Sequence, residues 1–564
     1  MFVFDTSILK TGNKKRENNE MQTLAQAHQE FDLNQLIGQQ LIGQVQSINA
    51  YEECCGRYVG QNKTAMIWEG LDGEKKQFTF DQLATYSGQL ANYFKSQGVQ
   101  SGDCIAGLLP RTPELLITIL ATWRIGAVYQ PLFTAFESKA IEHRLSSAKT
   151  QLIVTNKEQA AKLNAVNHVK VLRVENESFG IADQPDFWSV LNHFDAQCPS
   201  EILTFNDHFL MMFTSGTTGL AKSVPVPLKA ILSFKGYMTH AVGLNQNDSF
   251  WNLADPGWAY GLYYGITGPL SLGHTILLDE QGFSVDRAIE LIKKYKVSNL
   301  IGSPTAFRMF FGFKEKFDAE IKQYLRVVSS AGEPLTPEVV HWFKNDLEIN
   351  IYDQYGQTEL GMVIANHHAL KHPIKVGSAG YAIPGYRFVV LDDHHQELPS
   401  GSIGVLAIDS AASPLFWFTG YGGKNRSSFM GQYYITGDTV KINEFGGIDF
   451  VGRIDDVITT SGYRVGPFDV ESTLLECKEV LESAVIGKPD AIRTEIVKAF
   501  VVLKSQYKSQ ADQSLSEKLK QYVRGRLSKH AYPKEIEFVD QLPKTASGKI
   551  QRGVLKQQEI SRMQ

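Results

Sequence analysis

From Phe78 to about Gly404, short apolar runs of strand length alternate with longer amphipathic runs of helical period. "DCIAGLLP" leads into the helical "PELLITILATWRIGA", and the strand-like "VYQPL" follows. Further on, "RAIELIKKYKV" precedes "SNLIGSPTAF", and "EVVHWFKNDL" precedes "EINIYDQYG". The alternation predicts a large α/β architecture with mainly parallel strands. "GYRFVVLDDHHQELPSGSIGVLAI" breaks the rhythm, because two strand runs flank a polar turn. It predicts a hairpin in a smaller β unit, with His394 and His395 as solvated turn residues. A boundary falls at "VGRIDDVITTSGYRVGP". After it, "DVESTLLECKEVLESAVIGKP", "EIVKAFVVLKS" and "SLSEKLKQYVRGRL" read as helix, strand and helix of a small α+β domain. The expected division is a disordered extension over 1–30, a large N-terminal domain over 31–453 and a small C-terminal domain over 454–564.

Composition narrows this picture only a little. The 564 residues are 43% hydrophobic and 21% charged with a net charge of -4, so neither nucleic acid nor an anionic membrane is an expected partner. No apolar run approaches the roughly 18 residues a membrane-spanning helix needs. "LLITILATW" comes nearest and lies between Arg111 and Arg124. The first residues lack a cleavage site, and Asp5, Glu17 and Glu20 are out of place in a transit peptide, so the expected compartment is the cytoplasm, with Met21 as an alternative start. Cys54, Cys55, Cys104, Cys198 and Cys477 form no metal-ligand spacing and read as small buried hydrophobes in a reducing compartment. His368 and His372 are four apart, but no flanking acid completes a metal set.

The stretch "MMFTSGTTGLAKSVPVP" carries the first chemistry. Read from Gly216 it nearly spells a P-loop, with Ala221 in place of the second glycine. A P-loop lysine and serine begin a helix whose N-terminus holds phosphate. Here Ser223 is followed by Val224, Pro225, Val226 and Pro227. Pro227 would break such a helix, and each valine before a proline is pushed to an extended conformation. The chain therefore leaves this loop as a strand, and the P-loop reading fails. What remains is a hydroxyl- and glycine-rich loop (Thr214, Ser215, Gly216, Thr217, Thr218, Gly219) with Lys222 behind it, able to wrap a polyphosphate. Alone, such a loop is more often only a loop.

Six further motifs follow in order: "AGEPL", "YGQTE", "YITGD", "GRIDD", "SGYRVGPFDVE" and "PKTASGKIQR". With the loop, they resemble the acyl-CoA synthetase branch of the adenylate-forming enzymes from about residue 50 to the C-terminus, and most of all the medium-chain synthetases. The resemblance implies an AMP-binding N-terminal domain and a small mobile C-terminal domain with its hinge near Asp455. It implies a carboxylic acid–CoA ligase that uses ATP, Mg²⁺ and coenzyme A, forms an acyl-adenylate, and then forms an acyl-CoA thioester. It matches Lys549 to the lysine bridging carboxylate and α-phosphate, Glu359 to the Mg²⁺ carboxylate, and Thr358 to a neighbour of the phosphates. Gly332, Glu333 and Pro334, with Asp353, Gln354, Tyr355, Gly356 and Gln357, match the adenine wall. Asp438 and Arg453 match the ribose contacts, and Arg464 a phosphate-facing arginine. Ser461, Gly462, Tyr463, Arg493 and Tyr532 match coenzyme A contacts, and Trp258 a tryptophan of the acyl site.

Three positions depart from the pattern: Ala221 stands where proline is usual, Ser223 where glycine is usual, and Thr494 where glycine usually follows Arg493. Acetate-specific members carry a tryptophan just before Gln-Thr-Glu, where this chain has Gly356. An absent indole is expected to leave room for several methylenes, each worth about 0.8 kcal/mol when buried. That expectation favours a medium-chain or aromatic acid, with acetate or propionate as the alternative. Transfer of the acyl group to a carrier-protein thiol and a non-catalytic nucleotide-binding role are the other readings. Oligomeric state is not legible.

Overall fold

The computed structural model describes residues 21–563 except 165, 167, 175–185, 215–220, 334, 423–424, 461–462, 491–492, 528–530 and 545–549, and the side chains of 463, 464 and 563. Two six-stranded sheets dominate the N-terminal part. The first runs Lys170–Val174, Leu152–Asn156, Cys104–Leu108, Val128–Pro131, His208–Thr214 and Lys222–Pro227, parallel except for its last pair. The second runs from Phe250–Asn252 through Asn299–Gly302, Val327–Ala331 and Asn350–Gln357 in parallel, then turns antiparallel at Gly361–Ala365 and Tyr381–Ala382. Their central strands Cys104–Leu108 and Val327–Ala331 are short and fully buried, as parallel strands covered on both faces are.

"PELLITILATWR" forms the helix Pro113–Arg124, buried from Pro113 to Trp123 and packed on the helix Phe80–Ser96. Its all-round apolarity belongs to a core helix. Among the described residues no helix is long and apolar enough to cross a membrane. All five cysteines are free and buried.

The smaller β unit is antiparallel. Phe388–Leu391 pairs with Ile403–Asp409, which pairs with Tyr433–Ile442, and Ile448–Arg453 joins at the side. The Asp392 carboxylate accepts the N–H groups of His394 and Gln396, and His395 takes φ 60°, so both histidines are turn residues.

Two expectations need correction. Residues 21–30 are not all disordered. Thr23 and Gln26 form a capping box on the helix Leu24–Gln29, Ala27 is buried, and the His28 ring meets Ala382 O at 3.1 Å. The run beginning "DVEST" is not one helix. It is a helix at Pro467–Leu475 and then the strand Val480–Asp490, which pairs along its length with Thr494–Leu503. Alternate residues of that strand serve two cores, Val485 one and Ala484 with Ile486 the other, which a helix could not do.

Candidate functional site

In open α/β sheets ligands gather beyond the C-terminal ends of the strands. Most of the residues expected to bind nucleotide lie at those ends. Thr214 closes one strand and Lys222 opens its antiparallel neighbour, the two paired Cα to Cα. Lys222 thus begins a strand, as its prolines require. The His143 ring meets Ala221 O at 2.9 Å, fixing the end of the loop where the usual proline is missing.

The end of the strand Val327–Ala331 passes into Gly332, whose φ of 108° suits glycine alone, and Glu333, which accepts from Arg308 at 2.9 Å. Its neighbour Asn350–Gln357 carries Asp353, which accepts the N–H groups of Leu335 at 3.1 Å and Gln354 at 3.0 Å and so ties the two segments together. Burial pushes the Asp353 carboxyl up to about 7 against those two bonds. Tyr237 donates to Gln354 Oε1, while the buried Gln354 Nε2 has no partner among the described residues.

A hydrogen-bonded chain then crosses to the β unit. Asp438 Oδ2 accepts from the Tyr355 hydroxyl at 2.5 Å and from Gln357 Nε2 at 2.8 Å. Arg453 is the cross-strand partner of Asp438 and lies 3.6 Å from its Oδ1. Tyr434 donates to Gln357 Oε1 at 3.1 Å. Thr358 offers its carbonyl to Tyr263 at 3.0 Å. Glu359 is 6% exposed and accepts from Tyr421 at 2.7 Å, and burial raises its carboxyl above the ordinary range. The Lys222 ammonium stands 4.8 Å from the centre of the Tyr421 ring. Tyr421 and Tyr434 were not among the expected site residues, although "YITGD" contains the second and "TGYGG" the first.

Trp258, expected at the acyl site, is half-buried, with the rings of Phe133 at 5.3 Å and Phe136 at 5.4 Å. Gly356 lies against the backbone of the next strand. A Cβ there would lie 2.1 Å from Gly361 O and 2.7 Å from Met362 Cα, at the register shift between the two strands. The direction a side chain would leave Gly356 is occupied by the backbone of the neighbouring strand. In the C-terminal part, Tyr532 has Lys534 Nζ 3.7 Å and Arg524 5.4 Å from its ring centre, and Lys534 lowers its phenol below the usual value. Arg493 is an exposed turn residue whose N–H donates to Asp490 at 2.8 Å. Ser215, Gly216, Thr217, Thr218, Gly219, Pro334, Ser461, Gly462 and Lys549 lie outside the described residues, as do the side chains of Tyr463 and Arg464.

Loop, strand-end carboxylates and a separate C-terminal α+β unit define an adenylate-forming enzyme. The chain belongs to the AMP-binding enzyme family, which matches residues 53–421, with the AMP-binding enzyme C-terminal domain matching 469–549, and within it to the acyl-CoA synthetases, which are AMP-forming ligases. It is 36% identical over 533 residues to the acetyl-coenzyme A synthetase of Bacillus subtilis, covering 91% of each chain. It is 34% identical over 508 residues to 4-hydroxybutyrate–CoA ligase 1 of Metallosphaera sedula, covering 88% of each. The crystal structure of Brucella canis acyl-CoA synthetase superposes with a TM-score of 0.77 at 49% identity, covering 96% of this chain and 100% of that one.

Proposed function

We propose that the chain joins an apolar carboxylic acid to coenzyme A in two half-reactions, with Lys222, Glu359, Asp438 and Arg453 among the residues of its nucleotide site. The observation that supports this reading is that Tyr355, Gln357 and Arg453 gather on the Asp438 carboxylate, while Tyr421 meets Glu359 with its hydroxyl and Lys222 with its ring face. In the first half-reaction a carboxylate oxygen attacks the α-phosphorus of ATP and pyrophosphate leaves. The CoA thiol then attacks the acyl carbon, and AMP departs with the C–O bonding pair.

Asp438 has the acceptor capacity to take ribose hydroxyls, with Arg453 balancing its charge. The unpartnered Gln354 Nε2 is a donor beside the adenine wall. Lys222 offers positive charge to the phosphates at the mouth of the loop. Glu359 fits Mg²⁺, being a buried oxygen donor whose carboxylate is already oriented by Tyr421, and Mg²⁺ usually takes only one or two protein carboxylates. That ion would neutralise charge on the phosphates. Lys549 is assigned to the carboxylate and α-phosphate of the first half-reaction. Tyr532, Arg493 and the segment 461–464 are assigned to coenzyme A in the second. The C-terminal domain would swing about Asp455, in the stretch between Arg453, which ends the last strand of the β unit, and Ile458, the first residue of the next core.

The acid would lie against Trp258 and its two phenylalanines, which suits a medium-chain or aromatic chain. A short acid is the second reading, favoured by the backbone that closes the Gly356 side. CoA-dependent thioester formation with Mg·ATP across acetate, butyrate, hexanoate, octanoate, decanoate and benzoate separates the two. A maximum at hexanoate or beyond, or at benzoate, supports the first; a maximum at acetate or butyrate replaces it with the second. AMP release without thioester would overturn coenzyme A as the acceptor.

A further inference from the structure

Glu359 sits in the turn between the strands Asn350–Gln357 and Gly361–Ala365, and its orientation is set from a distant part of the chain. The Tyr421 hydroxyl reaches its Oε1 at 2.7 Å across 62 residues of sequence. Tyr421 is itself held on several sides. Its backbone N–H and carbonyl exchange hydrogen bonds of 2.9 Å with Asn425, and the next N–H, of Gly422, donates to Ser223 O at 2.9 Å. Phe418 packs on its ring at 5.2 Å, and Lys222 Nζ stands 4.8 Å from the ring centre. One side chain therefore serves both anion-handling parts of the site, by its hydroxyl on the carboxylate and by its ring face under the ammonium. Neither contact is visible in the "YGQTE" or phosphate-loop motifs taken alone.

We infer that Tyr421 is a positioning residue for Mg·ATP, its hydroxyl holding Glu359 in the orientation that accepts the metal and its ring holding Lys222 toward the phosphates. The inference rests on the assignment of Glu359 to Mg²⁺ made above. Partners that orient a metal ligand commonly change metal affinity by about ten- to a hundredfold when removed. The two contacts can be separated by substitution, because Tyr421→Phe keeps the ring and loses the hydroxyl, while Tyr421→Leu loses both.

The test is calorimetric binding of ATP to the full-length protein, in EDTA and in saturating Mg²⁺, for wild type and both variants, each first shown to be folded by circular dichroism. The quantity of interest is the factor by which Mg²⁺ strengthens ATP binding. In Tyr421→Phe this factor should fall about tenfold, while affinity in EDTA stays within about twofold of wild type. Tyr421→Leu should lose the same factor and in addition bind ATP more weakly in EDTA. An unchanged factor in Tyr421→Phe, beside a clear Mg²⁺ effect in wild type, would overturn the role of the hydroxyl and leave Glu359 as the metal carboxylate. A wild-type protein that binds ATP equally with and without Mg²⁺ would overturn the Glu359 assignment and this inference together.

Discussion

Thr494 takes φ 71° where it closes the hairpin between Val480–Asp490 and Thr494–Leu503. A β-branched residue is a true outlier there, whereas the glycine usual beside the arginine has no Cβ to clash. The backbone has kept the conformation that glycine would choose, and threonine bears the strain. Thr494→Gly should therefore raise stability to urea by about 1 kcal/mol, since the left-handed region costs an L-residue roughly 1–2 kcal/mol. Gly356 is the opposite case. Its Cβ direction ends on the Gly361 carbonyl, so Gly356→Ala should cost more than about 2 kcal/mol, seen as a lowered urea midpoint, by forcing two paired strands apart. An unchanged midpoint would support Gly356 as a pocket wall. His368 stacks on Tyr352 at 4.3 Å, and burial lowers its ring to about 3. A histidine depressed in the folded state takes its proton first in the unfolded chain. Its stabilising effect is complete above the unfolded value of about 6.5 and is lost as pH falls toward 3. Between pH 7.5 and 5, wild type should lose on the order of 2 kcal/mol more than His368→Gln, measured by urea unfolding at both pH values.

Secondary-structure elements show where local chemistry is decisive and where it is not. The pair Val-Pro-Val-Pro excluded a helix after the phosphate loop, and the strand Lys222–Pro227 lies at the end of its sheet, the place where proline does least harm to a ladder. Proline acts on its own backbone and on the residue before it, so its effect is legible locally. The run after "SGYRVGP" was harder. Its helical start, Pro467–Leu475, and its strand, Val480–Asp490, are both apolar, and only the two cores on opposite faces of the sheet reveal the change of period. The helix Leu24–Gln29 was missed for a related reason. Its six residues are too few to stand alone, and it is held by contacts such as the backbone bonds between Lys371 and residues 22 and 24.

At the scale of the whole molecule, the proposed mechanism asks the C-terminal domain to serve both half-reactions. Its last helix reaches back to the connecting stretch, where Lys556 Nζ donates to Asp455 O at 2.6 Å. Arg552 makes a bidentate pair with the buried Glu471 and lies 3.8 Å from Asp456, so the start of the last helix is tied to its own domain and to the connector together. If Lys549 is presented only for adenylation, Lys549→Ala should abolish acid-dependent ATP–pyrophosphate exchange. Thioester formation from supplied acyl-adenylate should then stay within about threefold of wild type. Equal loss of both half-reactions would refute a division of labour by domain movement.

The sequence by itself determined the α/β class, the strand after the phosphate loop, the small β unit and the synthetase family. Each of these rests on residue types at short spacing, where backbone chemistry and motif order act locally. The tertiary structure decided what depends on segments meeting. It placed a carbonyl against Gly356, brought Tyr421 to Glu359 across 62 residues and joined Tyr355, Gln357 and Arg453 on one carboxylate. A motif records which groups a site contains. Their separation, and the room left between them, is set by packing across the chain, which no local pattern encodes.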